Sequence, residues 1–143
     1  MATRGRRPDI LVDTSVAVAL VVADHRHHAT TTKAIGDRRL GLSAHAAFET
    51  FSVLTRLPPP ARRRPAVLAE LLAVRFPASR YLSDEAAASL LARLPSLGIA
   101  GGSVYDALVG AAAAEHRLPL ATRDRRALDV YRLLDVDVEA LDS

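Results

Sequence analysis

The chain of 143 residues is half apolar and carries a formal charge of +3, which is enough material for one compact domain and too little charge to name a nucleic-acid partner by itself. The absence of cysteine excludes disulfides, thiolate metal sites and cysteine nucleophiles, so any catalytic metal must be held by oxygen or imidazole. With no Trp and three each of Tyr and Phe, the core must be packed by Ala, Leu and Val, and the same scarcity argues against binding single strands on rows of stacked aromatics.

Arg4, Arg6 and Arg7 precede an apolar stretch from Val16 to Ala23 in the manner of a short signal peptide, but Asp9 and Asp13 interrupt the approach. No apolar segment is long enough to span a bilayer. The chain is therefore read as cytoplasmic and free of the membrane, a single domain over 1–143 with residues 1–8 a loose basic tail. Lys33 is the only lysine among the basic residues. The arginines suit bidentate phosphate contacts, although a genomic bias toward Arg, Ala and Pro explains the same usage.

The apolar run Ile10-Leu11-Val12 ends abruptly in Asp13-Thr14-Ser15, which reads as a buried strand running into a helix start, and the helix continues over 16–22. A polar helix is predicted over 28–38 and a second short strand over 40–42. Ser43 then caps a helix over 44–57, stopped by Pro58-Pro59-Pro60. After a surface connector over 58–64, Pro65 opens a helix to about residue 74 and Ser83-Asp84-Glu85 another to about 94. Residues 98–102 are a glycine-rich turn, 103–116 an Ala-rich helix and 118–121 a strand. Thr122-Arg123-Asp124 leads into a short helix ending near 134, and the alternation of Val136, Val138 and Ala140 with acids closes the chain with a strand. Strands separated by helices indicate a parallel α/β arrangement in which crossover helices cover a buried sheet; no internal repeat is present.

In an open α/β sheet, ligands bind beyond the carboxyl ends of the strands, and Asp13 and Asp124 both fall just past such ends. Asp106, in the first turn of its helix, can point to the same rim. Glu49 is mid-helix, with Phe48, Phe51 and Leu54 on the face that packs inward. Several carboxylates this close repel one another unless a cation neutralises them, and Mg²⁺ or Mn²⁺ prefers oxygen ligands. Each acid also has a purely structural reading. Ser103-Val104-Tyr105-Asp106 matches a capping box, Asp124 suits a helix N-cap, Asp13 complements a helix dipole, and Glu49 can be a solvated neighbour of Arg56.

Four segments in order resemble the PIN-domain family, and within it the VapC-like toxins of bacterial toxin–antitoxin pairs. Ile10-Leu11-Val12-Asp13-Thr14-Ser15 is similar to the family's first strand and acid, and the segment from Phe48 through Glu49 to Leu57 to its Glu-bearing helix. The segment from Gly101 through Asp106 to Leu108 resembles the third-acid region, and Thr122 through Asp124 to Leu128, with Val136-Asp137-Val138, the fourth-acid region and last strand. The resemblance implies a PIN-like three-layer α/β/α sandwich on a mainly parallel sheet of four or five short strands. It also implies Mg²⁺- or Mn²⁺-dependent endoribonuclease activity through a metal-activated water, a homodimer, and inhibition by a cognate VapB-like antitoxin whose arginine enters the acidic pocket. Asp13 and Asp106 are then the most direct metal residues, with Glu49 and Asp124 completing the site. Thr14, Ser15 and Thr122 match hydroxyl positions beside the acids. Arg123, Arg125 and Arg126 flank the crevice, where they can hold RNA phosphates or pair with nearby acids. Gly110 departs from the family's usual Ala in the helix after the third acid.

His25, His27 and His28 do not share a helical face and read as a surface helix start. Two rival functions remain: a non-catalytic RNA- or protein-binding module on the same scaffold, and an aspartate-based phosphatase. Against the latter, Ser15 stands where such enzymes carry their second Asp.

Overall fold

A computed structural model describes residues 9–141 and places them around a four-stranded, wholly parallel sheet. The strands are β1 (Ile10–Val12), β2 (Leu40–Leu42), β3 (Leu120–Thr122) and β4 (Val138–Ala140), in the order β2-β1-β3-β4. Seven helices surround them among the described residues: α1 (Thr14–Val21), α2 (His28–Ile35), α3 (His45–Thr55), α4 (Pro65–Arg75), α5 (Asp84–Leu97), α6 (Ser103–His116) and α7 (Leu128–Leu133). The basic tail expected over 1–8 lies outside the described residues.

The central strands β1 and β3 are buried along their whole length, which is why Ile10-Leu11-Val12 reads as an unbroken apolar run rather than an alternating one. Ile10 and Val12 pack on one face with Val16, Leu20, Ile35, Leu54 and Leu68 from α1 to α4. Leu11 and Leu120 point the other way, onto Val109, Ala113 and Tyr131 from α6 and α7. This two-residue alternation makes the three layers of the sandwich. No helix among the described residues is long and apolar enough to cross a membrane.

The fifth strand that the sequence left open is reduced to a single parallel bridge, Ser43 to Arg80. Residues 78–80 nonetheless cover the free edge of β2: the Ala78 N–H donates to the Leu40 carbonyl at 2.9 Å and the Arg80 N–H to the Leu42 carbonyl at 3.1 Å. A Cβ on Gly41 would overlap the Ala78 carbonyl, so this edge closes only over glycine.

Several predicted boundaries shift for identifiable reasons. The helix predicted over 28–38 stops at Ile35, where Gly36 takes φ +69°, and Arg38 turns inward to pair with Glu139 at 2.6 Å. The fifth helix runs through Pro95 to Leu97, ended by Gly98 in the left-handed conformation. Ser43 does not cap α3. Its buried hydroxyl donates to the Val109 carbonyl at 2.6 Å, and Ala44 starts the helix from a strained φ of +50° without a side-chain cap. Phe48, expected inward, is 67% exposed.

Candidate active site

Asp13 is the N-cap of α1, and this local role fixes one of its oxygens. Oδ1 accepts from the Val16 N–H at 3.3 Å and the Ser15 hydroxyl at 2.6 Å. Oδ2 accepts the hydroxyl of Tyr131 at 2.9 Å. Burial pushes the Asp13 carboxyl above its ordinary range, while the hydroxyls of Ser15, Thr122 and Tyr131 and the Val16 N–H favour its charged form. Ser15 also accepts the Arg123 N–H at 2.9 Å, so one hydroxyl joins the end of β1 to the end of β3.

The other acids arrive by different routes. Beyond β3, the Asp124 N–H donates to Thr122 Oγ1 at 3.0 Å, and Asp124 Oδ1 accepts the Arg126 N–H at 3.0 Å. This is a local turn and not a helix cap, because α7 begins only at Leu128 after Ala127. Glu49 projects from α3 and accepts the Thr14 hydroxyl at 2.6 Å, which decides the direction that its helix position left open. Asp106 stands in the first turn of α6; its capping-box reading fails, since Ser103 is already helical and Gly102 caps without a side chain.

All four acids, with Thr14, Ser15, Val109 and Tyr131, line one cavity of about 210 Å³. Asp106 is pushed above its ordinary range by burial first and then by the charges of Asp124, Asp13 and Glu49, with Arg126 opposing. An all-oxygen donor set under mutual repulsion fits a hard divalent cation. Among the described residues no three acidic or imidazole side chains stand close enough to enclose one ion. The fit is therefore to an ion that keeps waters and takes one or two carboxylates directly, as Mg²⁺ commonly does.

Of the basic residues, Arg123 reaches across to Thr31 of α2 at 3.3 Å, Arg125 lines an adjoining cavity of about 260 Å³, and Arg126 lies 3.5 Å from Asp124 with its side chain 93% exposed. His27 caps α2 and His28 begins it, the helix start that the sequence indicates for this cluster. Sequence reading missed Tyr131. Its ring is buried, and burial together with the Asp13 carboxylate holds its hydroxyl far above the usual phenol range, so it remains a neutral donor. The available signal was Gly110, a glycine inside an Ala-rich helix. A Cβ there would come within 3.0 Å of Tyr131 Cδ1.

A family model described as PIN domain matches residues 10–133, a stretch that contains all four acids. The chain belongs to the PIN-domain family, on its VapC-like branch. It is 48% identical over 132 residues to "Ribonuclease VapC27" of Mycobacterium tuberculosis, covering 92% of this chain and 96% of that protein. It is 43% identical to "Ribonuclease VapC40" of the same species, covering 91% of this chain and 97% of the relative. In fold it is similar to a chain of VapBC2 from Rickettsia felis, solved bound to a DNA fragment from their promoter, with a TM-score of 0.66 at 13% identity, covering 95% and 100% of the two chains. The PIN-domain chain thus spans nearly the full length of each of these relatives.

Proposed function

We propose that this VapC-like PIN protein is a Mg²⁺- or Mn²⁺-dependent endoribonuclease and the toxin of a toxin–antitoxin pair. The observation that carries the reading is the single cavity bounded by Asp13, Glu49, Asp106 and Asp124, in which burial, and after it the charges of the other three carboxylates, raise the proton affinity of Asp106. The names of the curated relatives support RNA as substrate. The VapBC complex of similar fold supports an antitoxin partner.

Bound at the cavity, a divalent cation supplies neutralisation of the carboxylates and acidification of a water for attack on phosphorus. Asp13 and Asp106 would hold it most directly, and Glu49 and Asp124 would complete the site. The chain's own groups do the positioning. Ser15, Thr122 and Tyr131 orient Asp13, and Thr14 orients Glu49. Exposed Arg125 and Arg126, with Arg123 beside them, hold substrate phosphates at the rim. A cognate VapB-like antitoxin silences the site by placing an arginine among the carboxylates, where a buried guanidinium replaces the cation. The working form is a cytoplasmic homodimer of one-domain chains.

Purified protein freed of antitoxin is expected to cut cellular RNA with Mg²⁺ or Mn²⁺ and not with chelator, and Asp13→Asn to abolish the cut ends found by sequencing. Absence of cleavage with either ion would instead support a non-catalytic binding module.

A further inference from the structure

The scarcity of aromatics argued against stacked rows, yet three of the six are exposed: Phe48 at 67%, Tyr105 at 54% and Tyr81 at 52%. Two pairs of rings form at the surface. Phe48 and Tyr81 lie 6.3 Å apart, tilted by 58°, on the lip of an apolar groove between α3 and α4. His45 and Tyr105 are different. Their centroids are 4.7 Å apart and their planes within 27°, a stack that joins the first turn of α3 to the first turn of α6.

The same two helices carry the helix-borne acids. Glu49 is four residues after His45 and so on the same face of α3, and Asp106 follows Tyr105 directly. The stacked pair thus stands one helical turn from Glu49 and next in sequence to Asp106, with Tyr105 more than half exposed, and the exposed Arg125 and Arg126 belong to the loop that carries Asp124 into the acid cavity. A nucleotide whose phosphate sits among the acids has its base one sugar away, and an unpaired base is a flat apolar surface that a ring pair can extend.

We propose that Tyr105, backed by His45, is a stacking subsite for an unpaired base close to the scissile phosphate. This deepens the ribonuclease reading and rests on it. An RNA base suits the pair better than a protein side chain does, because the rings are already stacked within 27° of parallel and lie outside the apolar groove, on the two helices that carry Glu49 and Asp106.

The test uses the full chain and short single-stranded oligoribonucleotides, each with one 2-aminopurine, with Ca²⁺ in place of Mg²⁺ or Mn²⁺ so that the carboxylates are neutralised, and with the RNA checked to be uncut. Wild type is expected to quench the fluorescence of the single strand and much less that of the same oligonucleotide in a duplex. Tyr105→Ala is expected to weaken binding about tenfold and Tyr105→Phe to retain it. His45→Ala should fall between them. In metal-dependent cleavage, Tyr105→Ala should raise KM while leaving kcat within about twofold. Unchanged binding and KM in a folded Tyr105→Ala, with wild type active, would overturn the stacking subsite and leave the nuclease intact. Quenching by a wild type that cuts nothing with Mg²⁺ or Mn²⁺ would do the reverse. If Tyr105→Ala instead changed only the sedimentation of the free protein or its copurification with antitoxin, the pair would be a protein contact and the proposal wrong.

Discussion

Asp13 and Asp124 stand just past the ends of β1 and β3, whereas Glu49 and Asp106 project from α3 and α6, and the two pairs are held in different ways. Asp13 receives the Val16 N–H and the hydroxyls of Ser15 and Tyr131, and Asp124 closes a turn with the N–H of Arg126. Glu49 receives one hydroxyl, from Thr14, and Asp106 accepts no hydrogen bond from the other described residues. The strand-end acids are thus set by the backbone that bears them. The helix-borne acids are aimed into the cavity but left adjustable, which suits groups that must meet a cation and a substrate.

The largest effect that bears on this contrast comes from neutralising one acid of each kind. Asp13→Asn and Asp106→Asn are each expected to slow single-turnover cleavage by about a thousandfold, corresponding to the loss of several kcal/mol of charge stabilisation. Glu49→Gln and Asp124→Asn should cost about tenfold to a hundredfold, as groups that complete the site. Full cleavage by Asp106→Asn would break the division of labour.

Next in size is the support of the rigid acid. Tyr131→Phe deletes the hydroxyl on Asp13 Oδ2 while keeping the buried ring, and should weaken Mn²⁺ binding, followed by calorimetry, by about tenfold or more. Gly110→Ala should act the same way by crowding Tyr131 Cδ1, even though alanine gains about 1 kcal/mol of helix propensity over glycine. Metal affinity should therefore fall more than stability does. Equal metal affinity in wild type and both variants would reduce Tyr131 to core packing.

A subtler difference concerns pH. The folded-state value of Asp106 is raised above 3.8, so above that pH the folded protein holds a proton that the unfolded chain has released. Stability then falls as pH rises through the window from 3.8 to the raised value. Asp106→Asn should be more stable than wild type at neutral pH in urea titrations and show a flatter slope across that window. Mn²⁺ should raise the midpoint of wild type more than that of the variant. A variant less stable than wild type at neutral pH would contradict the repulsion. Smallest of all, Thr14→Val frees Glu49 and should cost less than about tenfold in cleavage, since it removes one exposed hydrogen bond.

What local pattern dictates was legible in the chain. The abrupt end of Ile10-Leu11-Val12 at Asp13 marked a strand's carboxyl end, Pro65 marked a helix start, and 103–116 was read with its observed bounds, because caps, breakers and periodicity act within a few residues. The four acids could be named on those grounds together with the family resemblance. Their convergence was only an expectation, since each had a local structural use as well.

The sequence by itself therefore determined the order of strands and helices and the candidate acids, including the place of Asp124 just past β3. Only the tertiary structure decided that Ser43 serves Val109 rather than a helix end, that Phe48 faces solvent, and that Glu49 meets Thr14. The same holds for the Tyr131 hydroxyl on Asp13, a contact between residues 118 positions apart. Such contacts depend on the strand order β2-β1-β3-β4 and on how closely α7 approaches α6 over Gly110, and no local propensity encodes either.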